Sequence, residues 1–464
     1  MLNIPIEKLT DLTPDERRDL YDLKTIYERY EHKNAEKERY YEGHIRLSEV
    51  NLGIALPEGL QKLEIGCEWG AKAVDVLAAR SMFDGFVSEE GVENDEINDL
   101  MRANRLIAEY SKAVKDELKF GSTFATLSAD DTIGCKIRFH SPRTAAALWS
   151  GEKGRIKCGF AVIDVWEPDK IKNEIEPRII NYYTENDVIV FTNTGSHWTT
   201  ERHPHAMGRP LMEPLIWGPT TQKPLGRSRI KESVRRLIQG YVRTIANATI
   251  GIEFSTSPQK YLLGVTDEQF DAVVNQKFRQ YVGSILASTT NPETGEKPSF
   301  GQLPQGTISP HVEMMRVLAT QFSAATGLSV TDTGVVNDAN PTSSDAILAQ
   351  TQTLVSMAEQ LNQSNGDALG IIIQMALAVK KNVTLDELTD DEKRVIPHFK
   401  NPAMPSVSAT ADAAIKVASA RPEFAKTDVF LEMIGFNQAD IRRIRNQETA
   451  ARGFQLAMEI DDEA

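Results

Sequence analysis

The chain has 464 residues, of which 41% are hydrophobic and 25% charged, and this composition is typical of a globular protein with a sizeable buried core. Its formal net charge of −14 at pH 7 excludes broad nonspecific wrapping of nucleic acid, because such wrapping requires a basic face. The net charge is still compatible with a protein that lets a polyanion slide past it.

The cysteines Cys67, Cys135 and Cys158 are odd in number and widely spaced. They fit neither a disulfide framework nor a CxxC metal motif, so we expect buried thiols in a reducing cytoplasm. The first residues lack a basic stretch followed by an apolar run, which predicts no signal peptide. The longest apolar stretch, residues 369–379, is too short to cross a bilayer, so no membrane contact is expected.

Residues 1–220 are expected to form one α+β region. A Thr-Pro-Asp-Glu opening at Thr13 predicts a charged helix that ends near Tyr41. Helical spacing predicts two further helices, over residues 63–80 and 94–120, with a short strand between them. From about 121 to 217 the hydrophobic period changes towards two, which predicts strands joined by turns, including a hairpin in "YTENDVIV".

Long helices are predicted after residue 220. One covers 228–254, with Ser228 as its N-cap, and a second opens at the Ser-Pro pair at 309 and runs to about Gly327. A polar stretch follows, and a Thr-x-x-Asp capping box from Thr342 to Asp345 then begins another helix.

The remaining elements are also helical in character. Gly366 is expected to separate the helix that starts after Thr342 from a further apolar helix, which ends near Lys381. An acidic turn-helix over 383–395 and two C-terminal helices complete the chain.

Catalytic and cofactor motifs are absent from the sequence. It contains no P-loop, no GxGxxG, no HExxH and no GxSxG, so it nominates no catalytic and no cofactor-binding residue. The aspartates of "SADDTIG" and the pair His203 and His205 are weak metal candidates. A solvated turn and a hydrogen-bonded loop are the favoured interpretations, so no metal site is predicted.

The order of several motifs carries a resemblance. "CEWGAKAVDVLAARSMFDGF" precedes the strand-rich region, which closes on "GRPLMEPL", and "GRSRIKESVRRLIQGYVRT" then runs into "SPQKYLLG". "FGQLPQGTISPHVEMMRVLATQFSAATGLSVTDTGV", "NPTSSDAI" and "PSVSATADAAIKVASA" follow. In this order, and over nearly its whole length, the chain resembles the phage portal proteins of the SPP1-like siphovirus type.

The resemblance implies an α+β, mainly helical portal fold that assembles as a ring, usually of twelve subunits. By motif, the wing takes residues 1–227, the two stem helices 228–254 and 309–328, the clip 255–308, and the tunnel loop 329–343. Residues 344–365 are a long helix that links the tunnel loop to the wing and crown, and residues 366–464 are the crown and C-terminal helices.

The resemblance also implies a function without catalysis, cofactor or metal. The ring would be a conduit at one capsid vertex, through which double-stranded viral DNA is packaged and ejected. Its expected partners are the terminase large subunit, a head-completion or adaptor protein, and the major capsid and scaffolding proteins. The expected location is the virion and, during assembly, the host cytoplasm. Two alternatives stay open: another structural or connector protein of a viral head, and a cytosolic enzyme with an unrecognised divalent-metal site.

Two sets of residues are expected to face the channel. The stem candidates are cations that would offset an acidic wall locally, Lys231, Arg235, Arg236 and Arg243; salt bridges between subunits account for them equally well. The tunnel loop contains no Lys or Arg, and its candidates are Thr331, Asp332, Thr333, Asn337, Asp338 and Asn340. Contact by this loop is therefore expected to be steric and polar, with its aspartates repelling phosphate.

Overall fold

The computed structural model describes residues 5–46, 64–88, 94–166, 176–256, 260–263, 295, 299–302, 307–335, 344–403, 407–436 and 440–451. The predicted capping residue Thr342 and the tunnel-loop candidates Asn337, Asp338 and Asn340 lie outside these residues. Most of the predicted clip lies outside them as well.

Helices and strands alternate in the first half of the chain, and helices dominate the second, as expected for an α+β fold. The helices are α1 (Pro14–Tyr41), α2 (Trp69–Ala78), α3 (Asp95–Asn104), α4 (Leu106–Phe120), α5 (Glu232–Thr256), α6 (Ser309–Thr326), α7 (Ser344–Lys381), α8 (Asp390–Lys393), α9 (Val407–Ala420) and α10 (Asp428–Ile434). Residues 440–451 are also helical. Short 3₁₀ turns cover Ile6–Lys8, Val330–Thr333, Leu385–Glu387 and Pro422–Lys426.

The strands are β1 (His44–Arg46), β2 (Glu64–Gly66), β3 (Phe83–Ser88), β4 (Ser122–Asp130), β5 (Gly134–His140), β6 (Ala145–Ser150), β7 (Arg155–Val165), β8 (Pro177–Tyr183), β9 (Asp187–Asn193), β10 (Trp198–Pro204), β11 (Met212–Ile216), β12 (Lys260–Leu263), β13 (Ser299–Gln302) and β14 (Val395–Phe399). They form a five-stranded antiparallel sheet in the order β10-β9-β8-β7-β6 and a three-stranded sheet in the order β11-β4-β5. Three strand pairs, β1–β2, β3–β14 and β12–β13, are antiparallel too. The predicted hairpin is confirmed, since the Thr184 amide donates to the Asp187 carbonyl between β8 and β9 at 2.9 Å.

Helix α1 covers one face of the five-stranded sheet. Its start is fixed locally: the Thr13 side chain accepts from the Glu16 amide and the Glu16 carboxylate accepts from the Thr13 amide, which confirms the predicted opening. Its buried residues Leu20, Leu23 and Tyr27 then pack against a sheet face that includes Phe160. The result is a satellite hydrophobic core beside the main one.

The main core joins the N-terminal region to the long helices of the second half. Val234 and Ile238 of α5, Phe322 of α6 and Ile372 of α7 belong to the same buried cluster as Tyr110 of α4. Strand β14 pairs with β3, so a segment near residue 395 completes a sheet that begins near residue 83. The region predicted as wing therefore shares its core with segments far beyond residue 227.

Helix α7 is one continuous element of 38 residues, so the predicted break at Gly366 is wrong. Gly366 and Gly370 lie inside the helix, where an added Cβ would lie 3.6 Å from the Phe399 ring and 3.9 Å from the Val395 carbonyl. These glycines therefore face the strand β14, and burial of the helix outweighs their intrinsic helix cost of about 1 kcal/mol each. The predicted boundary between the linking helix and the crown falls within this helix.

Other element boundaries differ from the prediction as well. Residues 64–66 are a strand, so the helix predicted over 63–80 begins only at Trp69. Arg105, at φ 50°, divides the helix predicted over 94–120 into α3 and α4.

Helix α5, the predicted first stem helix, begins at Glu232 rather than at residue 228. The Ser228 hydroxyl accepts from the Ile230 amide at 2.9 Å and donates to the Lys119 carbonyl, so it stabilises a turn ahead of the helix. The second stem helix has Ser309 as its first helical residue, and no side chain caps it.

None of the helices in the described part of the chain combines the length and apolarity that a bilayer crossing requires.

Candidate functional site

A tight turn begins the predicted tunnel loop directly after α6. Gly327 ends α6 at φ 72°, and Ser329 then caps the 3₁₀ turn at Val330–Thr333. The Ser329 amide donates to the Asp332 carboxylate at 3.0 Å, and the Ser329 hydroxyl contacts Gln350 of α7 at 3.3 Å. The turn is therefore closed by its own hydrogen bonds and is tied to the next helix.

Trp69, the first residue of α2, holds this turn from the other side. Its indole N–H donates to the Thr333 carbonyl at 3.1 Å. Its ring stacks on Tyr241 of α5, with centroids 4.1 Å apart, and tilts against Phe322 of α6 at 4.7 Å. One side chain, 3% exposed, thus contacts both predicted stem helices and the root of the loop.

The position of Trp69 depends on its neighbour Gly70. A Cβ at Gly70 would overlap the Tyr40 carbonyl, so only glycine allows the end of α1 to approach the start of α2 this closely. This close approach accounts for the "CEWG" motif. Gly70 leaves room for the end of α1, and Trp69 packs against α5 and α6, the predicted stem helices.

A cavity of about 410 Å³ lies beside the contact between the start of α2 and the turn. It is lined by Cys67, Glu68, Trp69 and Lys72, by Tyr241 of α5 and by residues 331–334. Burial raises the pKa of the Cys67 thiol to about 11, so the thiol is neutral at pH 7 and is not an activated nucleophile.

Arg229 is a structural cation that sequence reasoning missed. It is 5% exposed, and its guanidinium donates to the Ala73 carbonyl of α2 at 2.5 Å and to the Thr326 carbonyl at the end of α6 at 2.6 Å. It also lies over the Trp217 ring at 5.6 Å. Burial lowers its pKa to about 10, so it stays charged at pH 7 and stabilises the negative end of α6.

The described tunnel-loop candidates differ in exposure. Thr331 is exposed, whereas Asp332 is half-buried and its carboxylate is used in the capping box. Thr333 is 8% exposed; its hydroxyl donates to the Val330 carbonyl at 2.6 Å and its own carbonyl accepts from Trp69. Thr333 is therefore held within the protomer, and its expected role as a channel contact stays a prediction.

Arg235 and Arg236, two of the stem candidates, form ion pairs inside the protomer. Arg235 is half-buried, with its guanidinium 3.4 Å from the Glu36 carboxylate of α1 and over the Tyr40 ring at 5.9 Å. Arg236 binds Glu232 at 2.7 Å along the same helix. The contact with α1 accounts for Arg235 within the protomer, and its expected place in a channel stays a prediction. Lys231 and Arg243 are exposed.

A buried polar network locks α7 to α4. The Asn365 side-chain amide donates to the Glu117 carboxyl at 2.7 Å and to the Tyr110 hydroxyl at 3.0 Å, and Ser81 contacts the same hydroxyl at 2.7 Å. Glu117 is fully buried, and burial raises its pKa to about 8. Its sequence position could have revealed it, because it falls seven residues after Tyr110 on the apolar stripe of α4.

The weak metal candidates are ordinary turn and loop residues. Asp130 accepts from the Thr132 amide at 2.9 Å and from the Ile133 amide at 3.2 Å, as in a surface turn. His203 lies 3.4 Å from Glu201, and burial lowers the pKa of His205. Within the ranges that the structure describes, no three His, Cys, Asp or Glu side chains are grouped to hold a metal ion.

The sequence matches one protein family over residues 10–449, and this family is described as phage portal protein, SPP1 Gp6-like. The chain therefore belongs to the phage portal protein family, which is a structural family and a component of the virion at a capsid vertex. The function of this chain is that of a portal protein. The resemblance inferred from motif order is confirmed.

Two solved structures are similar to the chain at low sequence identity. The neck of an empty GTA particle computed with C6 symmetry has 12% identity, covers 77% of this chain and 86% of its own, and gives a TM-score of 0.45. The neck of a native GTA particle computed with C12 symmetry has 10% identity, covers 79% and 89%, and also gives a TM-score of 0.45. No curated protein matches the chain.

Proposed function

We propose that copies of this chain assemble into a ring, of twelve subunits as is usual for the family, whose central channel passes double-stranded viral DNA into and out of the head. The observation that carries the proposal is the family match over residues 10–449. Helices α5 and α6 would be the stem, and the segment that follows α6 would be the tunnel loop.

Two unlike helix faces support a ring. On α6 an exposed, mostly uncharged stripe contains Met314, 47% exposed, and Val317, 49% exposed; it continues through Gln321 and Ala324, and the exposed Glu313 lies at its edge. On α5 the exposed stripe is charged and contains Glu232, Arg236 and Arg243. A head-to-tail ring requires two different surfaces on each subunit, and an exposed apolar helix face favours burial against a partner.

The DNA-facing role is assigned to exposed Thr331 and to Asn337, Asp338 and Asn340, which lie outside the described residues. The loop has no cation, so contact with a phosphate releases no counterion and adds little affinity. A duplex would therefore be guided by shape and repulsion rather than held. Lys231 and Arg243 are the stem cations proposed to offset the acidic wall.

The partners proposed for the ring are those of the family. The terminase large subunit would dock during packaging and a head-completion or adaptor protein afterwards. Major capsid and scaffolding proteins would surround the ring, first in the host cytoplasm and then in the virion.

Val317→Glu tests the ring, because it replaces an exposed apolar side chain in the stripe of α6 by a charged one. Negative-stain microscopy and mass photometry of the wild-type chain should show rings with a central hole and about twelvefold symmetry, while the variant should remain a folded monomer. Val165→Glu is the matched control, because Val165 is 40% exposed on the five-stranded sheet. Rings of Val317→Glu as abundant as those of the control would exclude the stripe as an interface. A wild-type chain that stays monomeric at high concentration would count against the conduit.

A further inference from the structure

We propose that Trp69 is the positioning residue of the DNA-facing loop: it fixes residues 329–335 to the wing, so that the loop starts from a set point in every subunit. The inference deepens the proposed function and rests on it, because it takes the segment after α6 to be the loop beside the DNA. It assigns a role to a side chain that would not itself touch DNA.

The first argument is the geometry of the indole. Its ring is held by Tyr241 of α5 and Phe322 of α6, and its N–H is directed at the Thr333 carbonyl. The ring cannot turn away from Thr333 without leaving both aromatic partners. The direction of the hydrogen bond is therefore set by the stem helices and not by the turn.

The second argument is burial. The bond between Trp69 and Thr333 is buried, and a buried carbonyl without a donor costs about 1–3 kcal/mol. Loss of the indole N–H would therefore favour a turn that moves to find a new donor.

The third argument is the space beside the turn. The cavity of about 410 Å³ lies beside the contact between the start of α2 and residues 331–334, so the turn has room to shift. The internal hydrogen bonds of the turn, from Ser329 to Asp332, hold its shape but do not fix it to α2. Trp69 supplies the link to α2, and Gln350 supplies one to α7.

The test replaces the indole while keeping its stacking. Trp69→Phe keeps an aromatic ring against Tyr241 and Phe322 and removes the N–H. Replacement of the Trp69 indole by a benzothiophene ring keeps the bicyclic shape as well, and serves if the phenylalanine variant does not fold. Trp198→Phe is the matched control, because Trp198 is 8% exposed and packs in the satellite core under α1.

Hydrogen exchange of the assembled protein measures the anchor directly. Amides of residues 329–335 should exchange about three- to tenfold faster in both Trp69 variants, and amides of α5 and α6 should not change. The control should leave the turn unchanged. Equal exchange in the turn of wild type and Trp69 variants would overturn the anchor.

DNA packaging measures whether the anchor positions the loop. Rings should still form in the Trp69 variants, and packaged DNA should fall several-fold relative to Trp198→Phe. Faster exchange in the turn with unchanged packaging would overturn the positioning role and leave the conduit intact. Wild-type rings that support no packaging would instead refute the proposed function, whatever the exchange result.

Discussion

Glu117→Gln should make the stability of this protein much less dependent on pH. Glu117 is fully buried between α4 and α7, and its hydrogen-bond donor is the uncharged Asn365 side chain. A glutamine there has nearly the same shape and keeps an acceptor for the Asn365 amide, but it cannot ionise. The substitution therefore removes one titration and leaves the packing of the core in place.

The magnitude follows from the pKa of the carboxyl. Burial raises it from 4.5 to about 8, while Asn365 opposes the rise by a smaller amount. The folded state therefore keeps a proton that the unfolded chain releases, so the contribution of Glu117 to stability is full below pH 4.5 and is lost as the pH rises to 8. The whole loss is about 5 kcal/mol, of which about 3.5 kcal/mol falls between pH 5 and pH 8.

The assay is urea unfolding of the unassembled chain, followed by tryptophan emission at pH 5, 6, 7 and 8. The free energy of unfolding of Glu117→Gln relative to wild type should rise steadily across this range, because only the wild type loses stability there. Glu109→Gln, at a half-buried position of α4 where the carboxylate pairs with Lys112, is the control and should give a nearly constant difference. Parallel curves for Glu117→Gln and wild type from pH 5 to pH 8 would refute a neutral, buried Glu117.

Two further substitutions test the junction between the predicted stem helices and the predicted wing. Arg229→Lys keeps the charge but reaches only one of the carbonyls of Ala73 and Thr326, so it should cost about 2 kcal/mol in thermal unfolding; a melting temperature equal to that of wild type would contradict the two bonds. Gly226→Ala should cost about 3 kcal/mol, because Gly226 has φ 78° and an added Cβ would overlap backbone carbonyls. Gly218→Ala is its control, because Gly218 has φ 55° and open space around an added Cβ. Equal losses of stability for the two variants would show that an added Cβ at Gly226 does not overlap the backbone.

Local chemistry accounts for the elements that sequence reasoning predicted well. The capping box at Thr13 and the hairpin before Asp187 each depend on residues a few positions apart, so the sequence contains the whole signal. The alternation of apolar residues from 121 to 217 likewise predicts strands such as β5 and β9, in which buried and less buried residues largely alternate. Strands β4 and β7 are instead buried on both faces over most of their length.

Long-range packing accounts for the elements that were missed. Gly366 locally favours a break, yet α7 continues through it because β14 packs across the helix at this point. The predicted start at residue 228 was wrong because Ser228 bonds Lys119, a residue more than a hundred positions away. Neither contact leaves a periodic pattern in the sequence.

The contacts by which Trp69 holds the predicted loop were missed for the same reason, because they also depend on long-range packing. Trp69, Tyr241, Phe322 and Thr333 come from four separate segments, and no spacing rule brings them together. The resemblance to portal proteins placed the loop after α6 but marked Thr333 as a contact rather than as an anchor. Only the folded chain distinguishes a threonine that is exposed, Thr331, from one that is buried two positions later.

The ion pairs of the arginines on the predicted first stem helix affect how tightly such a conduit would bind DNA. Each phosphate that a cation neutralises releases counterions and makes binding tighter and more dependent on salt. Arg235 is bound to Glu36 and Arg236 to Glu232, so in each case contact with phosphate would first have to break an ion pair within the protomer. Two cations of α5, the predicted first stem helix, are therefore engaged by carboxylates of the same protomer before they attract a duplex. This arrangement suits a channel in which DNA must move, because a surface of unpaired arginines would hold it in place.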